Sequence, residues 1–411
     1  MGKIKEEILV GNVLYGQSGG PTSVINSSAY GLFKEAFKHK DRINKVYAMH
    51  FGLEGLLKDD LIEIKENSRY MEKLKNTPGA FFGSNRFKIN YESDIGTLEK
   101  IYQIFKKYNI RYFFYNGGND SMDSIYQIEK FLKSKNYICY SIGIPKTIDN
   151  DLVLTDHTPG FASAAKFIIN SITEIYYDDA SYKEGRINII EIMGRDTGWL
   201  TASSKLAELN NAKIDLIYVP ETNFNLNTFL NKVHKIYTKN KHCLVCISEG
   251  IHDENGKPIL NLNNKYDIFN HLQLGGVGKY LENIIIKKYG FKTRTIELSL
   301  LQRANSIAPS ERDIKEAEGV AKYALLRALR GESNKMVIII RSHEKTCKFK
   351  YGLVKLCDVK NKTKYLPLNY INSKHDNIEK SFMDYVLPLI KGKQKGHLNN
   401  DGLLDVYKLE K

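Results

Sequence analysis

The sequence has few cysteines and no apolar run long enough to cross a membrane. Its five cysteines among 411 residues are odd in number and scattered, which argues against a disulfide framework. The apolar runs, such as 8–14 and 337–340, have the length of strands and fall far short of the ~20 residues of a membrane span. The N-terminus also lacks the apolar region and small residues of a secretory signal. We therefore expect a cytoplasmic protein without a membrane span.

Two of the cysteines, Cys243 and Cys246, form a C-x-x-C pair. A zinc site would need a second pair of suitable spacing, and the sequence has none. Both cysteines lie in the apolar run 243–247, and a free cysteine behaves as a small hydrophobic residue. We expect them to be buried thiols of a strand.

The charge is one-sided, with 61 lysines and arginines against 47 aspartates and glutamates and a formal net charge of +14. A basic protein binds nucleic acid when its cations form a patch or stripe. Here the lysines are spread along the chain, so we expect no nucleic-acid partner. The positive field would equally favour small anionic substrates.

The chain is longer than one hydrophobic core usually serves, and strand-like runs alternate with segments of helical length. This alternation predicts an α/β protein of two domains with parallel-type sheets flanked by helices. Ligands of such sheets bind beyond the carboxyl ends of the strands, so functional residues are expected in the loops that follow them. The predicted strands are 8–15, 45–50, 111–115, 138–144, 187–192, 214–219 and 244–248.

Two of these loops are rich in glycine and precede a predicted helix. The first comprises residues 15–22 before a helix at 24–37, and the second comprises residues 115–121 before a helix at 121–132. Glycine lets the backbone approach a ligand closely, and a helix N-terminus favours a phosphate group. The first loop fits neither G-x-x-x-x-G-K-[ST] nor G-x-G-x-x-G, and a tight turn between strand and helix is the alternative for it.

The loop 144–151 has the most specific residue pattern of these loops. Asp149 and Asp151 stand two residues apart, beside Lys146 and Thr147. Neighbouring carboxylates repel each other unless a cation or a reacting proton engages them, so the pattern indicates a metal site or a proton-transfer site. A solvated acidic turn is the alternative.

Several arginines stand at or near the ends of predicted elements, among glycine-rich loops. A guanidinium group can bind phosphate through two parallel hydrogen bonds. One such arginine would usually be a surface residue, but the set indicates a phosphate site. Its members are Arg86, Arg186, Arg195, Arg294 and Arg303.

Six motifs together resemble the phosphofructokinase family in order and spacing, over residues 8–340. The resemblance implies two α/β domains with the active site in the interdomain cleft. It predicts a donor-phosphate domain at 1–160 with 303–350 and a sugar-phosphate domain at 161–302 with 351–411. The motifs are Ser18-Gly19-Gly20, Gly117-Gly118-Asn119-Asp120-Ser121, Pro145-Lys146-Thr147-Ile148-Asp149-Asn150-Asp151, Met193-Gly194-Arg195, Ser248-Glu249-Gly250 and Gln302-Arg303.

The resemblance also implies a role for each matching residue. Asp149 is similar to the general base that takes the proton of the sugar 1-hydroxyl, and Thr147 and Arg195 complete the implied catalytic set. The implied ligands of the cofactor Mg²⁺ are Asn119 and Asp151. The implied donor-phosphate contacts are Gly19, Arg86, Asp120, Ser121 and Lys146. The implied sugar-phosphate contacts are Thr147, Asp149, Arg186, Met193, Gly194, Arg195, Glu249, Arg294 and Arg303.

Two residues indicate which phosphate donor is used. In the ATP-using members of the family, the positions of Asp120 and Lys146 are typically glycine. A carboxylate would crowd and repel the α-phosphate of a nucleotide, whereas an ammonium group can bind the end of a small donor. The pair therefore resembles the pyrophosphate-dependent branch, whose substrates are pyrophosphate and fructose 6-phosphate. An ATP-dependent 6-phosphofructokinase is the first alternative.

Two departures from the family pattern leave a second alternative open, a non-catalytic regulatory subunit that binds sugar phosphate. Asn119 stands where most members have an aspartate that helps to hold magnesium, and Leu300 stands where many have a polar contact to the 6-phosphate.

Arg186 and Arg294 resemble arginines that reach the 6-phosphate across a subunit interface. We therefore expect a homodimer or a homotetramer.

Overall fold

The computed structural model describes residues 9–260, 276–342, 348–392, 398, 400 and 403–406, and for residues 68–70 only the backbone. Within these residues the chain forms eleven strands and thirteen α-helices. The strands are β1 (Gly11–Gln17), β2 (Ile43–Met49), β3 (Leu61–Ile64), β4 (Ile110–Gly117), β5 (Tyr140–Pro145), β6 (Ile187–Ile192), β7 (Leu216–Tyr218), β8 (Cys243–Ser248), β9 (Thr293–Glu297), β10 (Lys335–Arg341) and β11 (Phe349–Lys355). The helices are α1 (Ile25–Ala36), α2 (Gly52–Leu57), α3 (Ser68–Asn76), α4 (Ile95–Lys107), α5 (Asn119–Ser134), α6 (Phe161–Ala180), α7 (Trp199–Ser203), α8 (Leu226–Asn240), α9 (Val277–Tyr289), α10 (Leu301–Ala304), α11 (Glu311–Ala328), α12 (Leu356–Val359) and α13 (Ser381–Val386), with 3₁₀ helices at Ser204–Asn210 and Leu368–Tyr370.

The strands form two sheets. The larger has the order β11-β10-β5-β4-β1-β2-β3, and the smaller has the order β7-β8-β6-β9. All pairs are parallel except those of the edge strands β3 and β11, which are antiparallel. This confirms the predicted α/β class. Every predicted strand is present, although residue 8, where the first was expected to begin, lies outside the described residues.

The division into two domains stays a prediction, but strand β11 corrects one of its boundaries. Lys355 pairs with Lys335 and Phe349 with Arg341, so the whole of β11 belongs to the larger sheet. Its connection to β10 is shorter than the dozen residues of a parallel crossover, so the chain turns back antiparallel. Residues 351–355 therefore belong with the first unit, and the predicted boundary after residue 350 falls inside a strand.

The ladder pairing aligns the strand ends, and this positions the loops that follow. Tyr115 of β4 pairs with Gly16 of β1 and with Gly143 of β5, so these three strands end side by side. Ile192 of β6 pairs with Ser248 of β8 at the carboxyl edge of the smaller sheet. Loops that are far apart in sequence are thereby brought next to each other at each edge.

Helices pack on the sheets, and the core is apolar. Helix α1 lies against α11, and its Phe33 makes edge-to-face contacts with Tyr15 and Phe82 at centroid distances of 5.3 and 5.7 Å. Cys243 and Cys246 are buried in β8, which confirms that they are strand thiols, whereas Cys347 lies outside the described residues. Among the described helices, none has the length and apolarity to cross a membrane.

A buried histidine lies between two acidic residues in the connection from β5 to α6. His157 is fully buried, with Nδ1 2.8 Å from Asp156 Oδ1 and Nε2 2.7 Å from Glu316 Oε2. Burial alone would lower the pKa of His157, but Glu316 and Asp156 outweigh it and raise the pKa from 6.5 to about 9. The protonated imidazole therefore links this connection to α11.

We expect the free energy of unfolding to fall as the pH rises from about 6.5 to about 9. A group whose pKa is raised by folding contributes its full stabilisation at pH values below its unfolded-state pKa. This contribution is lost as the pH rises through the folded-state pKa, with a slope of at most about 1.4 kcal/mol per pH unit. Urea unfolding across this range measures it. His157→Gln should flatten the slope, whereas the exposed His375→Gln should keep it; equal slopes in all three proteins would contradict the assignment.

Candidate active site

A cavity of about 240 Å³ lies where the loops after β1, β4 and β5 face the loops after β6 and β8. Both sheets thus contribute to it, as expected for loops at the carboxyl ends of parallel strands. Most of the predicted site residues line this cavity. They are Gly19, Arg86, Asn119, Asp120, Ser121, Lys146, Thr147, Asp149, Asp151, Met193, Arg195, Glu249 and Arg303.

Three predicted residues do not line the cavity. Gly194 lies just behind it: its φ is +146°, and a Cβ there would stand 2.5 Å from the Thr197 carbonyl oxygen, so the turn requires glycine. Arg186 precedes β6 and Arg294 lies in β9, near the amino ends of strands whose carboxyl ends face the cavity. These two arginines therefore lie apart from the site of their own chain, and their predicted role across a subunit interface stays a prediction.

The two glycine-rich loops touch each other at one side of the cavity. Gly19 has a φ of +73°, and its amide donates to the Asn85 carbonyl at 3.1 Å. The Ser121 hydroxyl, in the first turn of α5, donates to Ser18 Oγ at 2.8 Å. The N-terminus of α5 thus points its partial positive charge toward the loop after β1, which favours a phosphate group between them.

Two cations border the same loop. Lys146 is only 3% exposed, and its ammonium group donates to the Gly20 carbonyl at 2.7 Å. Burial lowers the pKa of Lys146 to about 8, although the carboxylate of Asp149 opposes this. A Cβ on Gly20 would stand 2.9 Å from the Arg303 guanidinium group. Lys146 and Arg303 therefore supply positive charge beside the backbone that would receive an anion.

Asp120 lies at the outer part of the cavity, and its side chain is 42% exposed. One of its oxygens is 3.5 Å from the Lys88 ammonium group. The carboxylate belongs to the first turn of α5, where an acidic residue interacts favourably with the helix dipole. It adds a partly exposed carboxylate to the lining of the cavity.

The loop after β5 presents the two predicted carboxylates. The Asp149 amide donates to Thr147 Oγ1 at 3.0 Å, and its carbonyl accepts from Thr197 Oγ1 at 3.2 Å. Burial, followed by the charges of Asp151 and Glu249, raises the pKa of Asp149 to about 7. A carboxyl group with such a pKa is suited to take a proton from a hydroxyl group near neutral pH.

Two oxygen atoms in this cavity could hold a metal ion. Asn119 Oδ1 and Asp151 Oδ1 are buried and make no hydrogen bond to the described residues. Oxygen atoms are the ligands that Mg²⁺ prefers, and this ion commonly completes its shell with phosphate oxygens and water. The described residues contain no group of three histidine, cysteine or acidic side chains that could hold a metal. The pair therefore fits a divalent cation that takes its other ligands from phosphate oxygens and water.

The far side of the cavity comes from the smaller sheet. The Met193 amide donates to Gln302 Oε1 at 3.2 Å, and Glu249 Oε1 accepts from the Gly194 amide at 3.3 Å. Arg195 also lines the cavity, and its Nε is buried without a hydrogen bond to the described residues. Leu300 is 56% exposed and does not line the cavity.

Sequence reasoning missed some lining residues. Asp196 and Thr197 also line the cavity, directly after Arg195 in the loop that follows β6. Their position in that loop was an available signal. Phe87 lines it as well, next to Arg86, and nothing in the pattern distinguished it.

Comparison with known proteins agrees with this geometry. The family model described as Phosphofructokinase matches residues 12–326. The chain is 36% identical over 405 residues to a pyrophosphate–fructose 6-phosphate 1-phosphotransferase of Halomonas elongata, covering 97% of this chain and 96% of that protein. It is 35% identical to the enzyme of the same name from Methylococcus capsulatus, covering 93% and 92%. The crystal structure of a pyrophosphate-dependent phosphofructokinase from Marinobacter aquaeolei superimposes with a TM-score of 0.86 at 35% identity, covering 98% of this chain and 96% of that one.

Proposed function

The chain belongs to the phosphofructokinase family, and we propose that it transfers a phosphoryl group from pyrophosphate to the 1-hydroxyl of fructose 6-phosphate. The products are fructose 1,6-bisphosphate and phosphate, and the reaction is reversible, so it serves glycolysis and gluconeogenesis. The proposal that pyrophosphate is the donor rests on the presence of Asp120 and Lys146 in one cavity. The names of the full-length relatives agree with it.

In the proposed reaction Asp149 takes the proton of the 1-hydroxyl as that oxygen attacks the terminal phosphorus of pyrophosphate. The new sugar O–P bond forms while the bridging P–O bond breaks and phosphate leaves. Thr147 orients Asp149, with which it shares a hydrogen bond, and Arg195 stabilises charge on the sugar side. Magnesium, held by Asn119 and Asp151, would neutralise charge on the donor oxygens.

The donor side is formed by Gly19, Ser121 and the N-terminus of α5, with Arg86 and Lys146 as cations. Met193, Glu249 and Arg303 complete the sugar side, and Gly194 supports it from just behind the cavity. We propose that Arg186 and Arg294 reach the 6-phosphate in a partner subunit, because both lie apart from the cavity of their own chain. This requires a homodimer or a homotetramer. The cytoplasmic location stays a prediction from the sequence.

A donor comparison tests the proposal. We expect the purified protein, with fructose 6-phosphate and Mg²⁺, to turn over with pyrophosphate and to show at most a trace of activity with ATP. Production of fructose 1,6-bisphosphate in a coupled assay measures both rates. Turnover with ATP alone would establish the ATP-dependent alternative. Calorimetric binding of fructose 6-phosphate without turnover on either donor would establish the regulatory alternative.

A further inference from the structure

The C-terminal part of the chain lies against the loop that carries Asp149 and Asp151. Thr363 forms an antiparallel bridge with Leu152, and the Lys364 amide donates to the Asp151 carbonyl at 2.8 Å. Neither Thr363 nor Lys364 lines the cavity. The segment therefore contacts the loop at residues that do not line the cavity.

Asn150, between the two carboxylates, is the centre of this contact. It is 0% exposed and has a φ of +54°, in the left-handed region that non-glycine residues seldom adopt. Its Oδ1 accepts from the Lys364 ammonium group at 3.1 Å, and its Nδ2 donates to the Tyr385 hydroxyl at 2.9 Å. Both ends of the amide are thus held by C-terminal side chains, which stabilise this backbone conformation.

The same two side chains also hold the backbone that follows the loop. Lys364 Nζ donates to the carbonyls of Thr155 and Asp156 at 3.1 and 2.9 Å, and the Tyr385 hydroxyl donates to the Asp156 carbonyl at 2.7 Å. Lys364 Nζ thus has three acceptors, one for each proton of its ammonium form. Lys364 and Tyr385 therefore join Asn150 to the connection before α6.

Helix α7, which follows β6 of the smaller sheet, also contacts Lys364. Trp199, at the start of α7, donates from its indole nitrogen to the Lys364 carbonyl at 2.9 Å, and the Lys364 ammonium group lies 5.0 Å from the centroid of its ring. Two residues later, the Leu366 amide donates to Glu221 Oε1, which also accepts from the Gly198 amide, both at 2.9 Å. The segment thus connects the loop after β5 with the loop after β6.

We propose that Lys364 and Tyr385 are positioning residues for phosphoryl transfer, which hold Asn150 in its left-handed conformation and thereby orient Asp149 and Asp151. This proposal rests on the proposed function of the cavity. Neither residue lines the cavity. Tyr385 acts through Asn150, whereas Lys364 acts through Asn150 and through its backbone hydrogen bond to the Asp151 carbonyl. A displacement of about 1 Å in a reacting group can cost about 100-fold in rate, so small shifts of this loop matter.

Tyr385→Phe removes the bridging hydroxyl and keeps the ring. We expect kcat to fall about 10- to 100-fold, with the KM values for pyrophosphate and fructose 6-phosphate within about twofold of the parent, because orientation and not binding is lost. Tyr370→Phe is the matched control: its ring lies in the same aromatic cluster, 6.2 Å from that of Tyr385, and its hydroxyl makes no hydrogen bond to the described residues. It should retain full kcat.

Lys364→Met is the second variant, with Lys362→Met two residues away as its control. Lys364→Met should lower kcat in the same way, and Lys364→Arg should restore part of it by donating again to Asn150. Hydrogen exchange at residues 147–152 should be faster in Tyr385→Phe than in Tyr370→Phe. This readout needs no turnover, so it separates the positioning role from the donor assignment. If ATP proves to be the donor, the kinetic comparison is made with ATP.

Unchanged kcat in both Tyr385→Phe and Lys364→Met would overturn the proposal. A raised KM at constant kcat would do the same, since it would place these residues in binding. Equal losses in Tyr370→Phe would show a general packing effect and would also overturn it. If Tyr385→Phe does not fold, the comparison of Lys364→Met with Lys364→Arg decides.

Discussion

Asp149→Asn is expected to lower kcat by about 10²- to 10⁴-fold, the usual contribution of a general base. Asparagine keeps the shape of the side chain but cannot take the proton of the 1-hydroxyl. The fold should persist, because the substitution also removes a carboxylate whose pKa burial and Asp151 raise. Initial rates with pyrophosphate and a thermal unfolding curve measure both effects.

The exposed Asp384→Asn is a control for this substitution, since it changes the same charge at a residue that does not line the cavity. It should leave kcat unaltered. An Asp149→Asn protein that retains more than about a tenth of the parental kcat would exclude general-base catalysis by Asp149, because base catalysis contributes at least about 100-fold.

Asp120→Gly combined with Lys146→Gly is expected to shift the ratio of kcat/KM for ATP to that for pyrophosphate by about 10- to 100-fold, that is about 1.4 to 2.8 kcal/mol. Asp120 places negative charge at the outer part of the cavity, and its removal opens space for an α-phosphate. Lys146 is held by the Gly20 carbonyl beside the donor loop, so its loss should also weaken pyrophosphate binding. Rates with each donor over a range of concentrations give the ratio.

Asp120→Gly alone measures how much of this shift comes from steric room, and Lys146→Gly alone measures how much comes from charge. Asp123→Gly is the control for a glycine in α5, because Asp123 lies one turn further along the helix, does not line the cavity and contacts Lys360. Asp123→Gly should lower the free energy of unfolding without changing the ratio of kcat/KM for ATP to that for pyrophosphate. A double variant with the parental ratio would show that donor choice resides elsewhere.

Much of the fold was predictable, and most of the predicted site residues line one cavity, because parallel sheets obey a local rule. A buried parallel strand is a continuous apolar run, and its functional loop follows it directly, as with β5 and the loop that carries Asp149. The edge strand β11 was not predictable in this way. Its residues are at most partly buried, and its place in the sheet follows from its pairing with β10 and not from a run of apolar residues.

The sequence by itself determined the strands, the order of the glycine-rich loops and the presence of residue types suited to phosphate, since all of these follow from neighbours along the chain. Only the tertiary structure decided which loops share a cavity, how burial changes the pKa of Asp149 and Lys146, and that Lys364 and Tyr385 hold Asn150. Tyr385 and Asn150 are 235 positions apart, so no local pattern links them. Their contact exists because two sheets and a C-terminal segment pack around one loop, and desolvation and contact depend on distance in space.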